Sequence, residues 1–300
     1  MDLTVGPLLF HWETGSWSDF YARIADEAPV DRVVIGESVC SKRLPLYADR
    51  VMEAVERLER GGKSVVLTSL ALVTLPRERR AAAELFAQTQ HEVEIDDLTL
   101  MRWAADGGDR PRPAFSIGPL VNVYNESTLA FFAARGARAV CLPPELPFAS
   151  VEALARAARP LGIGIEVFAF GRVPLAISAR CYHARVHGRT KDSCQFVCDR
   201  DPDGMVVRTL DGQDFLAVNG VQTLSYNCCN LIGDIDTLRA AGVTALRLSP
   251  HSGDFAAVCR AFRSVIDGRA EADEAAALLP GAVVPMPFSR GFMFGSTGAA

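Results

Sequence analysis

Two β-branched runs flank a helical stretch in residues 32–70, RVVIGESVCSKRLPLYADRVMEAVERLERGGKSVVLTSL. The runs Arg32–Gly36 and Ser64–Leu70 are short and mostly apolar, which is typical of strands buried on both faces of a parallel sheet. Between them, Ala48–Arg60 carries apolar residues at the spacing of an amphipathic helix, and a glycine pair follows where a helix ends most easily. The stretch therefore predicts a strand–helix–strand unit with a right-handed crossover.

The same alternation continues along the chain. Further strands are predicted at Leu3–Leu9, Glu92–Asp96, Ala114–Gly118, Ala137–Leu142, Gly162–Phe170 and Thr244–Ser249. Further helices are predicted at Ser18–Glu27, Arg77–Thr89, Asn125–Arg135, Val151–Ala158 and Ile235–Ala240. Eight strands alternating with helices favour an α/β fold of the closed (β/α)8 TIM-like barrel type. A doubly wound open sheet fits the same pattern, because the sequence does not show whether the sheet closes.

Two segments depart from this alternation. Residues 199–223 contain two short β-branched runs around an Asp-Gly turn, which predicts a β-hairpin inserted in the seventh βα connection. Residues 280–300 form an irregular C-terminal tail, whose apolar cluster either packs on the barrel or marks an interface; the cluster comprises Phe288, Phe292, Met293 and Phe294. Since no linker or repeat divides the chain, we expect one barrel domain over residues 1–300.

Composition restricts the classes of function. The chain has 31 basic and 36 acidic side chains and a net charge of −5, and no run of Lys or Arg supplies the positive field that nucleic-acid phosphates need. No stretch of about 20 apolar residues predicts a transmembrane segment, and the first residues lack the pattern of a signal peptide. We therefore expect a cytoplasmic protein without a nucleic-acid partner, in which thiols stay reduced.

Four of the eight cysteines are predicted to meet at one end of the barrel. Cys40 follows the second predicted strand, whereas Cys181, Cys194 and Cys198 form a Cys-x12-Cys-x3-Cys pattern after the seventh. Because loops after the strands of such a barrel share one face, the four thiols can supply one soft ligand to each iron of an iron–sulfur cubane. A four-cysteine zinc site and simple burial of the thiols are the alternatives. Burial suits the other cysteines best, namely Cys141, Cys228, Cys229 and Cys259.

Polar residues follow several strands on the same face of the barrel. They are candidates for binding a substrate, although loop hydrogen bonding explains them as well; the set is Asn122, Tyr124, Arg180, Arg247 and His251. For Arg247 there is a further alternative, a buried ion pair with Glu166, because each is the lone charge of an apolar strand and the two strands are neighbours in a barrel.

A pair of histidines stands at helical spacing in the seventh connection. His183 and His187 lie four residues apart on a predicted helix, a spacing that can bind a metal ion. No glutamate completes a zincin motif, so we interpret both as surface histidines.

Three segments resemble the collagenase-like peptidase family, whose mechanism is unassigned: Glu166–Gly171, Ser178–Tyr182 and Asp192–Cys198. The pattern of that family is Glu-x-Phe-x-x-Gly, a first Cys, then Ser-Gly-Arg-Cys and Cys-x3-Cys. Here Pro174 stands where the family usually has its first Cys. One early cysteine combined with Cys-x12-Cys-x3-Cys resembles the UbiV family of iron–sulfur subunits, in which case Cys40 supplies the fourth ligand.

The resemblance implies a [4Fe–4S] cluster held by Cys40, Cys181, Cys194 and Cys198. It also implies a heterodimer with a homologous UbiU-like subunit, a UbiT-like lipid-binding accessory protein, and hydroxylation of the aromatic ring of a ubiquinone precursor without O2. Prephenate is the oxygen donor that the resemblance suggests, with Arg180 or Arg247 binding its carboxylate. It assigns no catalytic residue. Two alternative functions stay open, a collagenase-like peptidase and a non-catalytic partner whose cluster relays electrons or supports the complex.

Overall fold

The structure is a computed structural model that describes residues 1–105, 112–283 and 286–296. The described strands are β1 (Asp2–Val5), β2 (Arg32–Ile35), β3 (Ser64–Thr68), β4 (Glu92–Ile95), β5 (Phe115–Ile117), β6 (Ala137–Cys141), β7 (Gly164–Ile177), β8 (Met205–Arg208), β9 (Asp214–Asn219), β10 (Gln222–Asn230), β11 (Ala245–Leu248) and β12 (Phe288–Ser289). The described helices are α1 (Thr14–Glu27), α2 (Leu44–Arg60), α3 (Pro76–Gln88), α4 (Met101–Ala105), α5 (Glu126–Ala133), α6 (Phe148–Ala158), α7 (Tyr182–Val186), α8 (Ile235–Ala241), α9 (Phe255–Ile266) and α10 (Ala272–Leu278). Within this described part, no helix is both long and apolar enough to cross a membrane.

Eight of these strands form a closed parallel ring in the order β1–β2–β3–β4–β5–β6–β7–β11. β11 closes the ring, because its Leu246 pairs with Leu3 of β1 on one side and with Val167 of β7 on the other. The predicted (β/α)8 barrel is therefore confirmed, and the open-sheet alternative is wrong. Every predicted ring strand is present, and β7 continues past its predicted end to Ile177.

The helices cover the ring through their apolar faces. In α2, Tyr47, Val55 and Leu58 are buried, while most of the intervening residues face solvent. Gly61 ends this helix where the chain passes close to α1, since a Cβ at this position would lie 2.4 Å from the carbonyl oxygen of Ala25. A glycine is thus required there by the close approach of the two helices.

The seventh βα connection contains a small antiparallel sheet. β8 and β9 form the hairpin predicted within residues 199–223. The prediction of a hairpin alone is incomplete, because β10 adds a third strand that pairs with β9 and with the extension of β7 beyond the ring. In β10 the adjacent Cys228 and Cys229 are both buried, so the alternating pattern that reveals a half-buried strand is interrupted. The order in this layer is β7–β10–β9–β8.

The described part of the C-terminal tail folds back onto the chain's own barrel. β12, which contains Phe288, pairs with β10. Met293 is buried, and Phe294 stacks on an aromatic ring of α6 with centroids 5.7 Å apart. These contacts favour packing over an interface as the role of the apolar cluster. Residues 284–285 and 297–300 of the predicted tail lie outside the described residues.

A buried arginine lies inside the ring between two carboxylates. Arg247 of β11 donates from Nε to Glu166 of β7 (2.8 Å) and from Nη1 to Glu94 of β4 (2.9 Å). Burial alone would raise the pKa of Glu166, but the Arg247 charge lowers it below its usual value. The sequence predicts the Glu166–Arg247 pair but gives no sign of Glu94. A single buried guanidinium is therefore shared by two carboxylates from different strands.

We expect Arg247→Met to lower the free energy of unfolding by about 3–5 kcal/mol, because it leaves buried carboxylates without their partner. Denaturant unfolding at neutral pH measures the change. Arg239→Met removes an arginine from an exposed pair with Asp236 on α8, and this control should cost less than about 1 kcal/mol. Equal stability of the two variants would contradict the role assigned to Arg247.

Candidate metal centre

The four cysteines of the predicted ligand set border one small cavity. Cys40 lies in the loop after β2, and Cys181 immediately precedes α7 as its N-cap residue. Cys194 and Cys198 lie between α7 and β8, with Cys198 in the short 3-10 turn Val197–Arg200. The loops that follow two separate ring strands thus bring together thiols that are far apart in sequence.

The loop that carries Cys40 is held by the buried carboxylate of Glu37. Its Oε1 accepts hydrogen bonds from the backbone amides of Val39 (2.8 Å) and Cys40 (2.9 Å). Burial raises the pKa of Glu37, and the nearby positive charge of Arg43 acts in the opposite direction. Nη1 of Arg43 lies 3.9 Å from the same carboxylate oxygen. The loop after β2 therefore delivers a thiol, a carboxylate and a guanidinium to one place.

Arg43 is a buried cation at the cysteine cavity. It is 1% exposed, and it donates to the carbonyl oxygen of Leu9 (3.2 Å) and to Oδ1 of Asn219 (2.5 Å). Among the described residues its Nε has no hydrogen-bond partner. Gly220 leaves space for the guanidinium, since a Cβ there would lie 2.7 Å from Nη2. In the sequence, the one feature that points to Arg43 is its position three residues after Cys40. That position does not reveal that the side chain is buried.

The thiols and Arg43 fit a thiolate-ligated metal group. Burial raises the pKa of Cys40 and of Cys198, whereas the charge of Arg43 acts to lower both. Sγ of Cys181 accepts a hydrogen bond from the amide of Ala184 at 3.4 Å. Thiols bind metal after losing their protons, and a buried guanidinium balances the resulting negative charge. Four thiolates suit a [4Fe–4S] cluster, whereas in the described structure no three of these sulfur atoms lie within 4.8 Å of one another, as the ligands of a single zinc ion would.

The other cysteines are packed in the hydrophobic core, as the sequence predicts. Each is at most 3% exposed; they are Cys141 in β6, Cys228 and Cys229 in β10, and Cys259 in α9. Burial raises the pKa of all four thiols. They are therefore neutral at physiological pH and behave as small apolar side chains.

The candidate substrate-binding residues do not form one cluster. Asn122 and Tyr124 lie on the exposed loop between β5 and α5, and Arg180 is exposed just before Cys181. Arg247 is held inside the ring by its carboxylates. His251 is buried against two phenylalanine rings, and burial lowers its pKa to about 4. The first three are thus accessible to a ligand, whereas the last two are engaged in buried contacts.

An apolar cavity of about 830 Å³ lies between α2 and α3. Leu44, Val51 and Leu85 line its walls, and Glu37 and Thr68 lie among its polar lining residues. Because Glu37 also orders the loop of Cys40, one carboxylate joins this cavity to the loop beside the cysteines. The sequence gives no sign of the cavity, since it forms where two separately amphipathic helices leave space between them.

Asp96 is a buried carboxyl group directly after β4. Its Oδ2 accepts a hydrogen bond from Thr68 Oγ1 (3.0 Å), whereas its Oδ1 has no partner in the described part of the chain. It borders a second small cavity together with Arg247 and Ser249. Burial and the neighbouring Glu94 charge raise the pKa of Asp96 to about 8. The group is therefore largely protonated at neutral pH and able to donate a proton.

Comparisons with known proteins give one family. The model of peptidase family U32 matches residues 15–300, from the first helix to the end of the chain. Among solved structures, the chain is similar to one described as the structure of the U32 peptidase Mk0906. That similarity has a TM-score of 0.47 and 13% sequence identity, and it covers 84% of this chain and 94% of that chain.

Asp96→Asn should make stability less dependent on pH. The folded pKa of about 8 exceeds the ordinary value of 3.8, so between these values the folded state holds a proton that the unfolded state has lost. This group therefore lowers wild-type stability as the pH rises, by up to roughly 1.4 kcal/mol per pH unit. Asparagine keeps the acceptor for Thr68 but does not ionise.

Unfolding free energies measured across this pH range check the effect. The stability of Asp96→Asn relative to the wild type should increase toward higher pH, whereas the exposed Asp236→Asn control should follow the wild type. Parallel curves for Asp96→Asn and the wild type would show that the carboxyl group does not titrate as described.

Proposed function

This chain belongs to peptidase family U32, and on that premise we propose that it is a UbiV-type [4Fe–4S] subunit of a heterodimer. The heterodimer would hydroxylate the aromatic ring of ubiquinone precursors without O2. The observation that carries the proposal is the convergence of four cysteines on one cavity beside the buried Arg43; they are Cys40, Cys181, Cys194 and Cys198.

The position of Pro174 supports Cys40 as the fourth ligand. Pro174, which stands where a cysteine is usual in the family, lies in β7 and borders the small cavity next to Arg247. Cys40 instead borders the cavity of the other three cysteines. A cubane held by four thiolates carries net negative charge, and Arg43 supplies the opposite charge where water is largely excluded.

A bound cluster would supply one-electron transfer at a potential set by burial and hydrogen bonding. The residues of this chain determine that burial and hydrogen bonding. The positive charge of Arg43 acts on the Cys198 thiol and lowers its pKa against the effect of burial, and Lys42 donates from Nζ to the carbonyl oxygens of Lys191 (2.7 Å) and Asp192 (2.9 Å). The loop after β2 and the segment before Cys194 are thus tied together by the protein itself, which reduces the cost of ordering the ligands.

The apolar cavity between α2 and α3 is the site we assign to the ubiquinone precursor. Its volume of about 830 Å³ lies within the usual range for small-molecule sites, roughly 300–1,000 Å³. An aromatic ring bound beside Glu37 would lie next to the loop of Cys40. The oxygen atom would come from a donor such as prephenate. Arg180 is the contact we assign to its carboxylate, because Glu94 and Glu166 already occupy Arg247.

A homologous UbiU-like subunit and a UbiT-like lipid-binding protein are the partners in this proposal. Exposed apolar side chains on the β8–β9 hairpin offer a surface that a protein partner can cover; they are Val206, Leu210 and Phe215. The lipid-binding protein would deliver a precursor whose prenyl chain is poorly soluble in water.

The family name favours a second candidate function, that of a collagenase-like peptidase. Incubation of the purified protein with denatured collagen separates the two candidates. Peptide release in proportion to the amount of this chain would favour the peptidase. A non-catalytic role is distinguished by assaying ring hydroxylation with each subunit alone and with the pair.

Replacing one ligand cysteine by Ala should lower iron from about four atoms per chain to less than about one in protein purified without air. The variants are made at Cys40, Cys181, Cys194 and Cys198. Cys141→Ala and Cys259→Ala remove buried thiols outside the cavity, so their iron content should match the wild type. Iron analysis and the visible spectrum measure the result. A full complement of iron in Cys40→Ala would show that the early ligand is assigned incorrectly.

A strain that lacks this protein should accumulate the unhydroxylated precursor when it grows without air. Ubiquinone made with air should be normal, since the proposed reaction uses a donor other than O2. Mass spectrometry of extracted quinones measures both. Anaerobic ubiquinone should return when the deletion strain expresses the Cys259→Ala variant, but not when it expresses the Cys198→Ala variant. Normal anaerobic ubiquinone in the deletion strain would rule the proposal out.

A further inference from the structure

His183, His187 and Asp201 form a second group of potential metal ligands. The two histidines lie on one face of α7 and its C-terminal end, and Asp201 directly follows the 3-10 turn that carries Cys198. One ligand atom from each of the three residues lies within 4.8 Å of the others. The expectation that both are surface histidines is wrong for His183, which is completely buried.

The hydrogen bonding of His183 determines which ring nitrogen is free. Nδ1 lies 3.3 Å from the carbonyl oxygen of Val218, and a carbonyl can only accept, so Nδ1 carries the hydrogen. In the neutral ring Nε2 then presents a lone pair. This nitrogen lies 3.0 Å from Oδ2 of Asp201, which also presents lone pairs. Two such atoms at this separation require a cation that both can contact, either a proton or a metal ion.

The direction of the contact favours a metal ion over a proton. Although Nε2 and the Asp201 oxygen are only 3.0 Å apart, Nε2 has no hydrogen-bond partner in the described structure, because a ring N–H would not point at that oxygen. Two ligands about 2.1 Å from one ion lie roughly 3.0 Å apart when they are at right angles, as in octahedral coordination, and about 3.4 Å apart in a tetrahedral site. In that arrangement the nitrogen lone pair points at the ion rather than at the neighbouring oxygen.

His187 gives the second reason. Its Nε2 is buried and lacks a hydrogen-bond partner among the described residues, and its ring stacks on that of His183 with centroids 5.4 Å apart. A proton shared by His183 and Asp201 would leave the His187 nitrogen unsatisfied, which is costly for a buried polar atom. One metal ion can bind all three residues. The carbonyl of Val218 then orients the His183 ring, as partners of metal-bound histidines usually do.

We propose that His183, His187 and Asp201 bind a divalent first-row transition metal ion at a site next to the four cysteines, since His183 also borders the cysteine cavity. Two imidazoles and one carboxylate suit Zn²⁺, Fe²⁺ or Co²⁺ and leave positions open for water or another ligand. The site would tie α7, which begins after Cys181, to the turn that contains Cys198. It does not depend on the proposed hydroxylase function, since its ligands belong to this chain alone.

Titration of the full-length protein, as purified without air, with Co²⁺ tests this site. Calorimetry should give one equivalent bound, and the difference absorption spectrum should show nitrogen and oxygen ligation without a thiolate-to-cobalt charge-transfer band. His187→Gln and Asp201→Asn should each weaken Co²⁺ binding at least about tenfold. His91→Gln and Asp236→Asn are the matched controls, because they change a histidine and an aspartate outside the group.

Two results would overturn the proposal. One is a wild-type protein that binds no Co²⁺ or binds it with a thiolate charge-transfer band, and this measurement needs no variant to fold. The other is affinity in His187→Gln and Asp201→Asn equal to that of the controls, with circular dichroism showing all variants folded. A thiolate band would place Co²⁺ at the cysteines, so iron bound there is measured separately in the same samples.

Discussion

β11 pairs with β7 on one side and with β1 on the other, and its Arg247 lies inside the ring between Glu94 and Glu166. A buried guanidinium costs free energy unless carboxylates surround it, so β4, β7 and β11 must keep their positions for the interaction to form. Closure of the ring in turn places the loops after the strands at one end of the barrel. The cysteine cavity, the apolar cavity and Asp96 all depend on that arrangement.

A second buried arginine has a corresponding role outside the ring. Arg43 joins the loop after β2 to the inserted sheet through Asn219 of β9, and it also lies near Glu37. Its single positive charge therefore faces a carboxylate on one side and the cysteine cavity on the other. In a site where water is largely excluded, such a charge favours negatively charged ligands far more than it would at the surface.

The segment between β7 and β8 has little regular structure, yet it carries most of the candidate metal ligands. Its one helix, α7, spans only Tyr182–Val186, and helices of that length are not stable by themselves. The β7 extension pairs with β10 at one end of the region, β8 pairs with β9 at the other, and Lys42 links its middle to the loop after β2. Metal ions bound by the cysteines and by the histidine–aspartate group would supply cross-links that regular hydrogen bonding does not.

The sequence by itself determined the ring strands, the inserted hairpin and which cysteines follow the second and seventh ring strands. These features depend on local patterns of apolar residues and on spacing. It also indicated the Glu166–Arg247 pair, since each is the lone charge of an apolar strand. Only the tertiary structure decided that the sheet closes and that Glu94 joins the pair. It also decided that Arg43 is buried beside the thiols and that His183 faces Asp201. These features bring together residues from distant parts of the chain. The sequence around a charged or polar side chain does not show which distant residue it will contact in the folded protein.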